Sequence, residues 1–224
     1  MSAMVFTLTS NPTLKLNCSA LTPNKLAGLS HTKIGKLKLG PHTNSPSVKD
    51  YFAISGDDTS QIVFKNSNTQ LNYIGMQMKN GQISIEGDAG DFLGANMQNG
   101  SIICSGNAGD RLGDNMRRGL ILVEGNAGNY TGSRMIAGTV TILGCLGTYT
   151  GYSMRRGTIL LAQQPSLHAT LQDCGVHTLP YLSLLFKVIL PLSSKLATVA
   201  NNRVQRFAGD LSQNGTGEIL VFQQ

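Results

Sequence analysis

The pattern of apolar and polar positions repeats every 19 residues between Gly81 and Gly157. Each repeat opens with glycine, alternates polar and apolar residues, and continues with further glycines and a methionine. Alternation with period two predicts a β-strand, because successive side chains of a strand point to opposite faces. A fixed period of this length is typical of proteins built from stacked structural repeats. The alternating apolar positions are Ile83 and Ile85, Ile102 and Cys104, Ile121 and Val123, Val140 and Ile142, and Ile159 and Leu161.

The length of the repeat limits what each unit is able to build. Nineteen residues are too few for a strand–helix–strand unit, whose crossover alone needs about a dozen residues. They are enough for one coil of strands with glycine at the corners, where positive φ angles are needed. We therefore predict an all-β solenoid, a right-handed parallel β-helix with 19-residue coils whose strands stack about 4.8 Å apart.

Stacked coils would place equivalent residues in columns. One column contains only methionine, which fills apolar interiors well because its side chain is flexible. We predict an internal core ladder for this column; a metal or redox role of the thioethers is the alternative. The methionines are Met78, Met97, Met116, Met135 and Met154.

The outward face of the repeated strand is also partly apolar, at Ile103, Leu122 and Leu160. Apolar residues in register on an outer face predict that the face is covered. Either the C-terminal part of this chain or another subunit covers it, or both do.

Three regions differ in composition. Residues 1–50 are predicted to form an N-terminal arm and cap, with a short edge strand at 4–9 and helices starting at Thr22-Pro23 and Ser30. Residues 51–164 are predicted to form the β-helix, with regular coils at 81–157. Residues 165–224 are predicted to form a C-terminal helical segment, interrupted at Pro191, and a final strand.

Positive charge is the main bias in composition. Lysine and arginine exceed aspartate and glutamate by six, which predicts an acidic partner such as an anionic substrate or an acidic subunit. No recognised nucleic-acid module accompanies the charge, so we expect no nucleic-acid partner. The arginines at 117 and 118 precede those at 155 and 156 by two coils, about 10 Å, and guanidinium groups suit carboxylates. A solvated corner without a partner is the alternative. The arginines assigned to this edge are Arg117, Arg118, Arg134, Arg155 and Arg156.

Several kinds of site are not indicated. The cysteines and histidines lack the spacing of a metal site, and the recurring Gly-x-x-Gly-x-x-x-Gly is better interpreted as turns than as a phosphate loop, since no helix follows it. Asp88, Asn107 and Asn126 are predicted to form a structural ladder. Glu86 and Glu124 lie two coils apart, a separation compatible with glycoside cleavage, but aromatic-lined grooves are not indicated. We predict no catalytic residue and no metal site in this chain.

The expected location is the cytoplasm. The first nine residues lack the basic and apolar regions of a secretion signal. The longest apolar stretch, residues 179–192, is too short to cross a bilayer and contains proline and lysine. We therefore expect no membrane partner.

The repeated glycine and methionine pattern resembles the GXGXG superfamily. That superfamily includes the C-terminal domain of the large glutamate synthase polypeptide and the C subunit of formylmethanofuran dehydrogenase. The flanking segments 21–30 and 206–221 (LTPNKLAGLS and RFAGDLSQNGTGEILV) are similar to those of the C subunit of the formyltransferase/hydrolase complex of methylotrophic bacteria. This resemblance covers nearly the whole chain.

The resemblance implies a non-catalytic scaffold role in one-carbon metabolism. In that family's complex a formyl group passes between tetrahydromethanopterin and a methanofuran-type carrier and is released as formate. Hydrolase, formyltransferase and dehydrogenase-like subunits would be partners, and the metal would lie on one of these partners. No cofactor is expected on this chain itself. The carrier's polyglutamate tail offers the arginine edge a ligand, as does an acidic subunit.

Two alternatives remain. The first alternative to the scaffold role is the C subunit of a formylmethanofuran dehydrogenase proper. The second is a stand-alone β-helix enzyme acting on carbohydrate. A stand-alone enzyme would act unaided, whereas a scaffold subunit would be inactive alone and would copurify with larger subunits.

Overall fold

The computed structural model describes residues 2–223. Strands dominate, and the helices lie before and after the repeated region. The strands are β1 (Ala3–Leu8), β2 (Leu16–Asn17), β3 (Phe52–Ser55), β4 (Asp58–Ser67), β5 (Leu71–Asn72), β6 (Gln82–Gly87), β7 (Ser101–Cys104), β8 (Leu120–Val123), β9 (Thr139–Ile142), β10 (Thr158–Leu161), β11 (Gln172–Thr178), β12 (Arg203–Gly209) and β13 (Gly217–Phe222). The helices are α1 (Pro23–Leu26), α2 (His31–Gly35), α3 (Val48–Tyr51), α4 (Leu182–Ile189) and α5 (Ser194–Val199).

Eleven strands form one mixed sheet in the order β11-β12-β13-β10-β9-β8-β7-β6-β4-β1-β3. The central strands β6 to β10 pair in parallel, and each residue faces the residue 19 positions later, as Ile83 faces Ile102 and Ile121 faces Val140. Antiparallel pairs occur at both ends of the sheet, between β1 and β3 and among β11, β12 and β13. The 19-residue interval is therefore the register of the central parallel strands, β6 to β10.

The prediction of an all-β solenoid in the form of a right-handed parallel β-helix is wrong. Residues 2–223 form an eleven-stranded mixed sheet, with a separate two-stranded pair β2-β5 and five α-helices, and no closed solenoid. Each regular repeat contributes one strand of four to six residues, and its remaining residues form turns joined by isolated bridges such as Ala89 to Ala108. Period-two alternation is confined to that one strand per repeat, so the pattern specified a strand and its spacing but no second or third sheet.

Left-handed residues explain why the rest of each repeat is turn. In the repeat that starts at Gly100, positive φ angles occur at Gly100, Arg111, Gly113 and Asn115, with values from 53° to 101°. Such residues interrupt an extended chain. Gly119 shows why glycine opens the repeats: its φ is 103°, and a Cβ there would lie 2.6 Å from the Gly100 carbonyl oxygen.

Several element predictions are confirmed. Helix α1 starts at Pro23 directly after Thr22, and the Ser30 side chain accepts a hydrogen bond from the Lys33 backbone N–H at the start of α2. Pro191 lies in the 3-10 turn that separates α4 from α5, and the last strand, β13, ends at Phe222. The prediction that the early strand, at 4–9, is an edge strand is wrong: β1 (Ala3–Leu8) lies inside the sheet, between β4 and β3.

Two apolar cores lie on opposite faces of the sheet. The larger contains the inward strand residues and the methionines. The smaller joins Leu122, Leu160 and Leu220 of the sheet to α4 and α5 through Leu182 and Phe186. The predicted cover of the outer face is therefore supplied at least in part by this chain's own C-terminal segment. None of the helices between residues 2 and 223 has the length and apolar character that crossing a membrane requires.

Candidate functional site: an arginine edge

Four of the five assigned arginines occupy the turn that follows a buried methionine. The backbone N–H of Arg117 donates to the Met97 carbonyl oxygen at 2.8 Å, and that of Arg155 donates to the Met135 carbonyl oxygen at 2.8 Å. Met116 and Met154 point inward, and the two residues after each of them are exposed. The local sequence Met-Arg-Arg thus anchors one side chain in the core and presents two guanidinium groups to solvent. We call the set Arg117, Arg118, Arg134, Arg155 and Arg156 the arginine edge.

The four arginines at these turns have no acidic partner within residues 2–223. Their guanidinium groups take part in no side-chain hydrogen bond or ion pair in that part of the chain. Exposed, unpaired charges of one sign attract a partner of the opposite sign, and the attraction weakens as salt rises.

Arg134 differs, because it is paired. Its Nε donates to Asp114 Oδ1 at 3.0 Å, and its Nη2 also bonds to this carboxylate. The Asp114 side chain is only 3% exposed and also accepts a hydrogen bond from Ser133 Oγ at 2.6 Å. Hydrogen bonding and the charge of Asp114 raise the pKa of Arg134 against a smaller opposing effect of desolvation. The pair orients the guanidinium and largely neutralises it.

Arg134 and Arg155 line one cavity of about 270 Å³. Asn115, Ser153 and Gln213 contribute amide and hydroxyl groups to the same cavity, and Ile136 contributes an apolar side. The unpaired Arg155 guanidinium beside these polar groups forms an arrangement that suits a carboxylate. This cavity is the part of the arginine edge with the most defined geometry.

The remaining arginines are not brought into that cavity. In the column of Arg117 and Arg155, Ile136 occupies the intermediate repeat, and Ala137 does so between Arg118 and Arg156. With strands about 4.8 Å apart, charges two repeats apart lie about 10 Å from one another. The edge therefore presents two arginine pairs along the stack, which suits a ligand with several spaced negative charges.

The methionines at the assigned ladder positions are fully buried, each at 0% exposure. Their terminal methyl groups pack against glycines that open later repeats: a Cβ on Gly119 would lie 2.9 Å from Met97 Cε, and one on Gly138 would lie 2.9 Å from Met116 Cε. Within residues 2–223 no group of three or more His, Cys, Asp or Glu side chains has a metal-binding arrangement.

The two glutamates considered for glycoside cleavage have other contacts. Glu124 accepts a hydrogen bond from Ser193 Oγ at 2.5 Å and pairs with Lys195 Nζ at 3.0 Å, which ties α5 to the sheet. Glu86 lies 3.8 Å from Lys65 Nζ. The predicted Asp88 ladder is confirmed: Asp88 Oδ1 accepts from the Asn107 backbone N–H at 2.7 Å, and Asn107 Oδ1 accepts from that of Asn126 at 2.9 Å.

Sequence reasoning missed two residues of this site: Asp114, which pairs with Arg134, and Gln213, which lines the cavity. Asp114 replaces the alanine found 19 residues earlier at Ala95, and a lone acid at this place in the repeats was an available signal. Gln213 comes from the segment between β12 and β13, outside the repeat, so no spacing pointed to it.

Comparisons with known proteins point to one group of proteins. Over 70 residues the chain is 34% identical to the C subunit of the formyltransferase/hydrolase complex (Fhc) of Methylorubrum extorquens, a match that covers 31% of this chain and 26% of the relative. Over 82 residues it is 32% identical to the C subunit of the molybdenum-containing formylmethanofuran dehydrogenase 1 of Methanosarcina barkeri, covering 34% of this chain and 27% of the relative. These alignments span about a quarter of the curated relatives. No family model matches the chain.

The structural match is much longer. A chain in the crystal structure of the formyltransferase/hydrolase complex (FhcABCD) from Methylorubrum extorquens in complex with methylofuran superposes with a TM-score of 0.63 and 29% identity. The superposition covers 98% of this chain and 100% of that chain. The resemblance to the C subunit of this complex, predicted from the repeats and the flanking segments, is confirmed.

Proposed function

We propose that this chain is a non-catalytic scaffold subunit of a formyltransferase/hydrolase complex. In this proposal the complex passes a formyl group between tetrahydromethanopterin and a methanofuran-type carrier and releases formate in the cytoplasm. The observation that carries the proposal is the superposition on a chain of such a complex over 98% of this chain.

The chemistry of the described side chains supports a scaffold rather than a catalyst. The polar residues nearest the strands are engaged in hydrogen-bonded ladders, such as Asp91 Oδ1 with the Asp110 backbone N–H at 3.0 Å and Asp110 Oδ1 with that of Asn129 at 2.7 Å. Side chains that bond to their own backbone hold turns together and are not free to move a proton at a substrate.

The partners in this proposal are the hydrolase, formyltransferase and dehydrogenase-like subunits. The experiment is coexpression of a tagged chain with these subunits, followed by affinity purification and mass identification. We expect the larger subunits to copurify, formyl transfer and formate release in the assembled complex, and no activity of this chain alone. Activity of the isolated chain, or absence of these subunits from the purified material, would contradict the proposal.

We further propose that the arginine edge binds a carboxylate-rich chain. Either the polyglutamate tail of the carrier or an acidic face of a neighbouring subunit supplies the carboxylates. The support is the pair of arginine turns without acidic partners and the cavity between Arg134 and Arg155.

Charge reversal tests the arginine edge. Replacing Arg117, Arg118, Arg155 and Arg156 by Glu should weaken assembly if a neighbouring subunit binds there. If the carrier tail binds there, the same change should raise KM for the polyglutamyl carrier while assembly stays intact. For a carrier without its tail, KM should be the same for the variant and the wild type.

A matched control places the same charge change elsewhere. Lys33, Lys36, Lys187 and Arg203 are exposed, and their replacement by Glu alters net charge equally. The control should assemble and turn over normally. Unchanged assembly and kinetics in the arginine-edge variant would contradict the proposal and favour the alternative, a solvated corner without a partner.

The C subunit of a formylmethanofuran dehydrogenase is the second candidate, and the 32% identity to the Methanosarcina barkeri protein favours it. The same purification separates the two proposals, because the dehydrogenase would bring a molybdenum or tungsten protein with it. Metal analysis of the purified complex provides the readout.

A further inference from the structure

A second surface column carries aromatic rings and one guanidinium group at the 19-residue interval. Tyr73 stacks on Phe92 with ring centroids 4.8 Å apart, and Tyr130 stacks on Tyr149 at 5.0 Å. The Arg111 guanidinium lies between the two pairs, 4.9 Å from the Tyr130 ring and 6.0 Å from the Phe92 ring. The column is a continuous stack in which an arginine already occupies one place.

Backbone conformation does not account for the aromatic residues in this column. All five residues have φ between 58° and 61°, the left-handed region in which glycine and asparagine are easier to accommodate. The neighbouring left-handed column does contain asparagine, at Asn96 and Asn115. The stacking contacts of these flat side chains offset the backbone cost of their left-handed conformation.

The stack ends at Tyr149 beside an open space. One face of Tyr149 stacks on Tyr130, and within residues 2–223 no aromatic ring stacks on the other. Tyr149 is 45% exposed and lines a cavity of about 290 Å³ with Thr148, Ser166 and His168. His168, 19 residues after Tyr149, lines this cavity, and within residues 2–223 its ring does not stack on that of Tyr149.

A hydrogen bond between His168 and Thr170 sets the chemistry of the cavity wall. Thr170 Oγ1 lies 2.6 Å from His168 Nδ1, within hydrogen-bonding distance. In the tautomer whose Nδ1–H donates to Thr170 Oγ1, Nε2 is an acceptor. His168 Nε2 is buried and has no hydrogen-bond partner in residues 2–223.

We propose that this cavity binds the guanidinium group of an arginine side chain from a partner protein. The electron-rich face of Tyr149 attracts a planar cation, His168 Nε2 accepts an N–H hydrogen bond, and Arg111 shows that the stack accommodates a guanidinium. A lysine ammonium lacks the planar face that stacks on a ring, so the site discriminates between the two cations.

The full chain, labelled for NMR at tyrosine and histidine rings, provides the test. N-acetyl-arginine amide should shift the resonances of Tyr149 and His168, whereas N-acetyl-lysine amide should leave them unchanged. The Tyr149→Leu variant should lose the response of His168. The Tyr73→Leu variant, which removes a ring at the opposite end of the same column, should retain both responses.

The comparison of probes on the wild-type chain decides the matter even if Tyr149→Leu fails to fold. Equal shifts with the lysine probe would show charge attraction alone and overturn the proposal. Shifts with N-acetyl-phenylalanine amide but not with the arginine probe would also overturn it, since they would assign a neutral aromatic ligand to the cavity. This test does not depend on the arginine edge or on the activity of a complex.

Discussion

At the scale of single residues, side chains interlock with glycines of neighbouring repeats. Met116 is fully buried, and a Cβ on Gly138 would lie 2.9 Å from its Cε. The methionine and the glycine are therefore one packing unit, although they belong to different repeats. Their sequence spacing was readable in advance, but which glycine each methionine meets was not, because that depends on how far the side chain reaches.

The first prediction concerns this unit. Met116→Ala should lower the free energy of unfolding by about 2–5 kcal/mol, because it removes buried atoms and leaves a cavity. Met116→Leu, which keeps most of the volume, should cost less than about 1.5 kcal/mol. Urea unfolding followed by circular dichroism measures both, and equal effects of the two changes would argue against tight packing at this position.

The second prediction concerns Asp210, which is fully buried. Desolvation alone would raise the pKa of its carboxyl group, but hydrogen bonds from Ser212, Thr170 and the Ser153 backbone N–H outweigh it and lower that pKa to about 2. An unfolded aspartate titrates near about 3.9. A lowered native pKa contributes stability that is present above pH ~4 and is lost as pH falls from ~4 towards ~2.

The shift corresponds to about 2 kcal/mol. Asp210→Asn should therefore lower the free energy of unfolding at pH 6, and the difference from wild type should shrink as pH falls below about 4. The control is Asp57→Asn, at a side chain that is 81% exposed, which should change stability little. A difference for Asp210→Asn that is constant from pH 6 to pH 2.5 would contradict the assignment.

At the scale of elements, the C-terminal helices cover part of the sheet. The buried face of α4 carries Leu182 and Phe186, which pack with Leu160 of β10, while Leu184 on the outer face is 67% exposed. The apolar residues Leu122 and Leu160 predicted that this face of the sheet is covered. The sequence did not decide whether the C-terminal part of this chain or another subunit covers it. The choice depended on whether α4 and α5 fold back, which is a long-range contact.

The third prediction compares the two faces of α4. Phe186→Ala should lower the free energy of unfolding by about 3–5 kcal/mol, because it opens the smaller core. Leu184→Ala, on the exposed face of the same helix, should change it by less than about 0.5 kcal/mol. Thermal unfolding of the two variants provides the comparison, and similar losses would mean that α4 does not pack as described.

At the scale of the whole molecule, the five central strands of the sheet share one register. Strands β6 to β10 pair residue i with residue i+19 throughout, so the columns of buried and exposed side chains run the length of the stack. Removal of the repeat 100–118 would join Asn99 to Gly119, so Asn99 would still be followed by a glycine that opens a repeat.

The fourth prediction follows from this register. Deletion of residues 100–118, one full repeat, should leave a folded protein with its columns aligned and a cooperative thermal transition. Deletion of residues 100–117 is one residue shorter and should abolish that transition, because a slip of one residue moves every later strand residue to the opposite face. A folded protein from both deletions would show that the 19-residue register does not determine the pairing.

The sequence by itself determined the 19-residue interval, the strand in each repeat, the buried methionine positions and the resemblance to the C subunit of the formyltransferase/hydrolase complex, because all of these are local or periodic properties. It also placed four exposed arginines at equivalent turns, since each pair follows a methionine. Only the tertiary structure decided that the strands form one mixed sheet, that α4 and α5 cover it, and that Arg134 pairs with Asp114. Those outcomes depend on contacts between side chains far apart in the chain, whose geometry no spacing records.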